Sequence, residues 1–359
     1  MKWKAIVAAV MAAAGVVFEP MDAGAVSPDR QFHELPLKQV KTEGTLLFSD
    51  SPEYVSVPGI LAEGTVKKGK GRIYYYHVNE IGENARLVVY GTSDKNAEVT
   101  LRGFVRGEPS RDYISTGASL SFREATAKTE TPVTIAIPKG KKIILAEDNE
   151  KGIPLHDLVS GYVDVETKRP VRFGVAMLPD TEDTELAAAL EKAGPLPPDS
   201  HEMRGTFPGE VWYEAALFDV DLGPAEITLG DGVRNPYFTG QDEMNYITRE
   251  NTGNYGITYH MTLPSRGKGT YQLFINPQGG NFLATLRIGQ HERFKNIYRT
   301  DHSHRGKLFG HRTDRDMMAL GTWETGKDVF IRLVIPGAAY LPVRLLFVPM
   351  VSVRNGEGL

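Results

Sequence analysis

Three histidines stand close together in the run Arg299-Thr-Asp301-His302-Ser-His304-Arg305-Gly-Lys307-Leu-Phe309-Gly-His311-Arg312. Imidazoles two residues apart on a strand point to the same side. His302 and His304, joined by His311 or Asp301, therefore form a candidate divalent-metal site. Arg299, Arg305, Lys307, Arg312 and Arg315 surround them, and adjacent cations disfavour a metal; the opposing reading is a long polar loop with solvated histidines. The same stretch also reads as a charged surface. Residues 287–316 hold eight Lys/Arg against four Asp/Glu, net +4, within a chain whose formal charge is −4. A basic patch interleaved with aromatics suits an anionic surface polymer or glycan, with Tyr298, Arg299, Arg305, Lys307, Phe309 and Arg312 as candidate ligand-binding residues. The plainer alternative is a loop that pairs internally with acidic neighbours.

Other spacings carry less. Gly64-Thr-Val-Lys-Lys-Gly69-Lys70-Gly71 nearly matches the phosphate-cradling G-x-x-x-x-G-K-[ST]. Gly71 removes the magnesium-binding hydroxyl, and a strand pattern rather than a helix follows, so the segment reads as a basic hairpin turn. Leu229-Gly-Asp231-Gly-Val-Arg-Asn235 lacks the spacing and terminal Glu of a calcium loop and reads as a tight turn. There is no H-E-x-x-H and no G-x-S-x-G. Trp212 and Trp323 each have the shape of a sugar-stacking platform, although an isolated strand Trp is more often core.

The elements that must position these residues read as strands. Arg72-Ile-Tyr-Tyr-Tyr-His-Val-Asn79 and Ala85-Arg-Leu-Val-Val-Tyr90 are dense in β-branched and aromatic residues, and Glu80–Asn84 between them has hairpin length. Pro277-Gln-Gly-Gly280 is a second hairpin-type connection. The clearest alternation sets Tyr255, Ile257, Tyr259, Met261 and Leu263 on one face, with Gly256, Thr258, His260 and Thr262 on the other. One segment reads as a helix: Thr181 to Ala193, stopped by Gly194-Pro195 and followed by the stiff Leu196-Pro-Pro198. Short strands without long helical patterns predict a mainly all-β chain of two β-sandwich-like domains joined by a short helix and Pro-rich linker. The expected boundaries are a leader (1–25), a polar tether or edge segment (26–43), domain 1 (44–180), helix and linker (181–203), domain 2 (204–353) and a tail (354–359).

Lys2 and Lys4, the apolar run Ala5–Phe18 and Ala23-Gly24-Ala25 match a secretory signal cleaved after Ala25, or an anchor if retained; the run of ~14 residues falls short of a bilayer span. The expected address is secreted or envelope-associated, with no integral membrane segment after cleavage. A near-neutral charge argues against a nucleic-acid partner. No cysteine occurs in the 359 residues, which excludes disulfides, thiolate zinc sites and cysteine nucleophiles.

Several strings occur together: Ser49-Asp-Ser-Pro-Glu53, Tyr76-His-Val-Asn79, Arg86-Leu-Val-Val89, Gly107-Glu-Pro-Ser-Arg-Asp-Tyr113, His156-Asp-Leu-Val-Ser-Gly161, Leu196 to Phe207, Gly253-Asn-Tyr-Gly256 and Asn276-Pro-Gln-Gly-Gly280. As a set they resemble secreted bacterial proteins labelled as carrying a copper amine oxidase N-terminal-like (stalk) domain, over about residues 45–290. The stalk module itself is not recognisable, so the likeness is to its β-sandwich companion. It implies no oxidase activity: Asn245-Tyr246 is followed by Ile247, and Asn254-Tyr255 by Gly256, where a quinone-forming Asn-Tyr-Asp/Glu would be needed.

The expected function is a non-enzymatic, exported binding or scaffold module for a cell-wall polymer or glycan, with no cofactor and no oligomeric state assigned. Two alternatives stand beside it: a secreted glycan hydrolase or lyase with a carboxylate site, and a metal-binding protein using His302, His304 and His311.

Overall fold

The computed structural model describes residues 31–128, 131–290, 294, 296–300, 308–311 and 315–350. The expected leader and tail lie outside the described residues. Among those residues the chain is mainly β, with 24 strands, two α-helices and one 3-10 turn, Val220–Leu222. No helix among them is long and apolar enough to cross a membrane.

A thirteen-stranded sheet organises the molecule. Its path begins β21 (Asn296–Arg299), β20 (Thr285–Gly289), β23 (Val329–Val334), β17 (Thr258–Leu263), β12 (Arg204–Ala215). It continues β2 (Leu37–Ser49), β5 (Gly69–Asn79), β10 (Leu158–Thr167), β7 (Ala97–Arg106), β8 (Val133–Ile137). Off this path, β3 (Tyr54–Val55) pairs with β5, and the hairpin of β15 (Phe238–Asp242) and β16 (Ile247–Asn251) joins β12. A four-stranded sheet runs β4 (Gly59–Val66), β11 (Val171–Pro179), β6 (Ala85–Thr92), β9 (Ile143–Ile153). A five-stranded sheet runs β1 (His33–Glu34), β14 (Ala225–Leu229), β24 (Val343–Met350), β19 (Thr270–Pro277), β22 (Met318–Glu324). A short parallel pair, β13 (Phe218–Asp219) and β18 (Ser265–Arg266), completes the set.

The long sheet is packed on both faces, and β5 shows why its sequence is apolar without a break. Ile73 and Tyr75 face the four-stranded sheet, packing with Leu87, Val89, Phe173 and Val175. Tyr74, Tyr76 and Val78 enter a second core shared with Tyr259, Tyr271, Leu345 and Phe347. A strand buried on both sides reads as a continuous hydrophobic run rather than an alternation. Tyr74 stacks on Phe48 at 5.1 Å and lies 4.6 Å from Tyr162, and its hydroxyl accepts a hydrogen bond from Gly337 N at 2.6 Å.

Two sandwich-like units therefore share one sheet, and this corrects several local readings. The polar segment before residue 44 is a strand from Leu37 onward, paired on one side only, so of the two readings, tether or edge, it is the edge. It is the first part of β2, which pairs with β12 from Arg204↔Ser49 to Ala215↔Leu37 and gains β5 as its second neighbour only from Thr45. Residues 80–84 do not close a hairpin: β5 belongs to the long sheet and β6 to the four-stranded one. The basic turn after Val66 likewise passes from β4 to β5 across the sandwich, and Pro277–Gly280 leads from β19 to the long sheet. In each case the turn residues were legible; which sheet receives the next strand depends on distant partners. The Asp231 turn is as expected, its Oδ1 accepting from the amides of Val233, Arg234 and Asn235 at 3.0, 2.8 and 2.9 Å.

Of the helices, α2 (Asp183–Lys192) lies where propensity placed it, buried through Leu186 and Leu190. By contrast α1 (Tyr113–Thr126) has no such signal, because five Ser/Thr and Gly117 lower its intrinsic preference. It is held by context: Asp112 caps it by accepting from Ser115 N at 3.2 Å, and its small face (Thr116, Gly117, Ser121, Ala125) packs close, with Leu120 in the core.

Two of the strings singled out in the sequence, Ser49–Glu53 and Leu196–Phe207, meet in one junction. Ser51 Oγ donates to Asp199 at 2.8 Å, and Glu53 N donates to the other oxygen of Asp199 at 2.8 Å. Arg204, 1 % exposed, bonds Asp242 and the carbonyls of Leu61 and Leu196. These residues hold chain crossings together.

Gly44 and Gly209 stand opposite each other in the β2–β12 ladder, where β5 begins to pair with β2. Gly44 has φ +69°, and a Cβ there would lie 3.3 Å from Lys70 O. Gly44→Ala should cost about 1–2 kcal/mol in urea unfolding, with m unchanged; an unaltered midpoint would show that the left-handed turn is not required.

Candidate functional site

The outward face of the second unit carries a continuous cross-strand row. In register, Lys41 on β2 stands opposite Trp212 on β12, and Trp212 opposite His260 on β17. His260 in turn faces Arg332 on β23, which faces Arg287 on β20. Five strands at about 4.8 Å spacing make this row roughly 19 Å long. Its members touch. Lys41 Nζ lies 4.1 Å from the Trp212 ring, and Trp212 stacks on His260 at 4.4 Å with planes 8° apart. The row exists because β17 alternates, as its sequence predicts: Tyr259, Met261 and Leu263 are buried, so His260 and Thr262 face outward.

Beside the row lies a cleft of about 430 Å³, lined among others by Lys70, Arg72, Arg102, Asp164, Glu166 and Glu210. Glu210 and Thr258 connect the two features, each two residues from Trp212 or His260 on the same strand. His260 Nε2 and Glu210 Oε2 are 2.7 Å apart. That hydrogen bond, outweighing burial, holds the Glu210 carboxyl below its ordinary range.

Glu124, in the last turn of α1, binds two arginines that line the cleft. It accepts from Arg72 at 3.1 Å and from Arg332 at 2.9 Å, while Arg72 also grips Asp164 with two bonds of 2.6 and 2.8 Å. Burial raises the Glu124 carboxyl, but Arg332 and then Arg72 overcome this and bring it down to about 2. The cations of the cleft are thus matched by carboxylates, with Arg102 bound to Glu166.

A glycosidase acid needs a carboxyl raised toward neutrality. Glu210 is shifted the other way, and Asp164 and Glu166 are engaged by arginines. One nucleophile–base pair does occur: Ser49 Oγ lies 2.8 Å from His77 Nε2, and His77 Nδ1 lies 2.8 Å from Pro52 O. Both residues are 0 % exposed, and burial lowers the imidazole to about 4. The pair is sealed within the sandwich.

Of the ligand and metal candidates read from the sequence, Tyr298, Arg299, Phe309 and His311 are among the described residues. Tyr298 and Arg299 lie on β21, half-buried, and the Arg299 guanidinium sits 4.5 Å above the Phe122 ring of α1. Phe309, expected at a ligand surface, is 3 % exposed and belongs to the main core; its backbone carbonyl accepts from Phe282 N. His311 is exposed, and its amide donates to Leu308 O. His302, His304, Arg305, Lys307 and Arg312 lie outside the described residues. Among the described residues no group of three or more His, Asp or Glu could hold a metal ion.

Sequence reasoning missed Lys41, Lys70, Arg72 and Arg332 as neighbours. A signal existed for part of the set: the polar face of the 255–263 alternation, the lone Trp212, and the Gly69-Lys70-Gly71-Arg72 turn, which supplies one wall of the cleft.

Because the Glu124 value lies below the ordinary 4.5, its stabilisation is full above pH 4.5 and is lost as pH falls toward 2. Glu124→Gln should cost about 3 kcal/mol at pH 7, leaving two guanidinia opposed. That gap should shrink from pH 4.5 downward in urea titrations; a gap independent of pH would contradict the pairing.

No family model matches the chain, and no curated protein matches it. Among solved structures, the PBSX exported protein XepA aligns at 10 % identity over 81 % of this chain and 86 % of its own, with a TM-score of 0.15. Lac15 from a marine microbial metagenome aligns at 11 % identity over 84 % of this chain and 63 % of its own, also at 0.15.

Proposed function

We propose that the protein is a non-enzymatic binding or scaffold module of the cell envelope or extracellular space, taking a wall polymer or glycan along the outer face of its long sheet. The observation that carries this reading is the row Lys41–Trp212–His260–Arg332 alongside the cleft. An extended polymer of hydroxylated rings needs a linear track with aromatic surface, hydrogen-bonding carboxylates and fixed cations, and these residues supply all three. The export address rests on the leader pattern at residues 1–25. The resemblance to the secreted stalk-domain proteins agrees with that address and brings no catalytic residue with it. The binding reading is favoured over a hydrolase or lyase because the carboxylates in the cleft are paired.

The test is co-sedimentation of the chain lacking residues 1–25 with insoluble envelope polymer, with tryptophan emission monitored in parallel. Lys70 and Arg102 are largely exposed, at 68 and 49 % of their side chains. The double reversal Lys70→Glu/Arg102→Glu should weaken retention about tenfold, or about 1.4 kcal/mol, with the melting temperature little changed. Trp212→Phe should abolish the emission change. Reversal at Arg305, Lys307 and Arg312 separates the second basic surface from this one. Absence of retention of the unaltered chain would sink the proposal.

A further inference from the structure

The row does not end at Arg332. Arg287 follows it on β20, directly opposite, and like charges placed opposite each other across strands are unfavourable. The two guanidinia are not equally compensated. Arg332 is bound by Glu124, and Arg72 by both Glu124 and Asp164. Arg287 has no carboxylate partner among the described residues. Its neighbour is the Phe294 ring, 5.2 Å away, and its buried Nε has no hydrogen-bond partner. Burial, and then Arg332, lower the proton affinity of this guanidinium against a smaller opposing pull from Glu124. A half-buried planar cation with an unfilled donor, next to a second arginine fixed from behind, is a geometry that oxyanions satisfy.

We propose that Arg287 is the anion-reading position of this surface: an oxyanion carried by the bound polymer, whether carboxylate, sulfate or phosphate, sits between Arg287 and Arg332. This rests on the binding reading above and narrows its ligand to an acidic polymer. Aromatic contact near Trp212 and His260 takes the rings, and the arginine end selects for charge. Glu124 acts as a positioning residue, bonded to Arg332 and reaching Arg287 through its charge alone.

The experiment compares dextran, dextran sulfate, polygalacturonate and a polyphosphate as probes for the intact chain, its Arg287→Gln variant and its Arg287→Lys variant. Thermal melting with and without inorganic sulfate is recorded for each. The unaltered chain should bind at least one charged polymer about tenfold more tightly than neutral dextran. Arg287→Gln should remove that preference while leaving dextran binding and the melting temperature unchanged or raised, and Arg287→Lys should restore part of it. The three charged probes identify which oxyanion is preferred. Equal binding of charged and neutral polymers by the unaltered chain would overturn the assignment and leave the binding reading intact. So would a lower melting temperature in Arg287→Gln with preference retained, since that outcome reveals an internal counter-ion. If no polymer binds, the binding reading fails; sulfate protection that is equal in the unaltered chain and Arg287→Gln then removes the anion site as well.

Discussion

Glu124 is the group on which the arrangement of this protein depends most. A buried carboxylate is tolerated only when charge and hydrogen bonds replace its lost water. Here both replacements come from arginines far apart in the sequence, Arg72 in β5 and Arg332 in β23. The helix that bears Glu124 has little intrinsic reason to be helical, and its place against β10, β20 and β7 is what brings the carboxylate to the gap. One side chain thus joins the first unit, the second unit and the helix. The desolvation of three charges is offset only if all three elements are in position together.

The outer face follows from the same constraint. With Glu124 beneath, the Arg332 guanidinium is committed to one direction, and the neighbouring positions on β12 and β17 face outward in register with it. The row is a property of the sheet, since no two of its five members come from one strand. A surface of that kind is as rigid as the ladder that carries it, which suits recognition without large rearrangement.

Much of the fold was legible locally. The β-rich class, the 255–263 alternation, the α2 helix and the Asp231 turn each follow from period, caps or side-chain chemistry within a dozen residues. What was not legible is pairing. Turns of hairpin length carried the chain between facing sheets, because a short connection fixes a reversal but not the partner of the strand that follows. The helix α1 escaped because its buried face is made of Ser, Thr, Gly and Ala, whose fit is decided by the strands beneath. At the candidate site, Trp212, His260 and the Lys70–Arg72 turn could each be seen, yet their adjacency rests on registers linking residues 41, 72, 212, 260 and 332.

The long β2–β12 ladder has a consequence for how the chain acquires its structure. Its paired residues are separated by 155 positions at Arg204↔Ser49 and by 178 at Ala215↔Leu37. As the chain emerges, β2 has only its parallel neighbour β5 until residue 204 is made, and its other edge stays open throughout that interval. Loops of this length must close before the sheet is continuous, and pairings so distant slow folding. The first two hundred residues therefore form an unfinished edge rather than a finished domain, and the molecule commits to its native state only when its second half arrives.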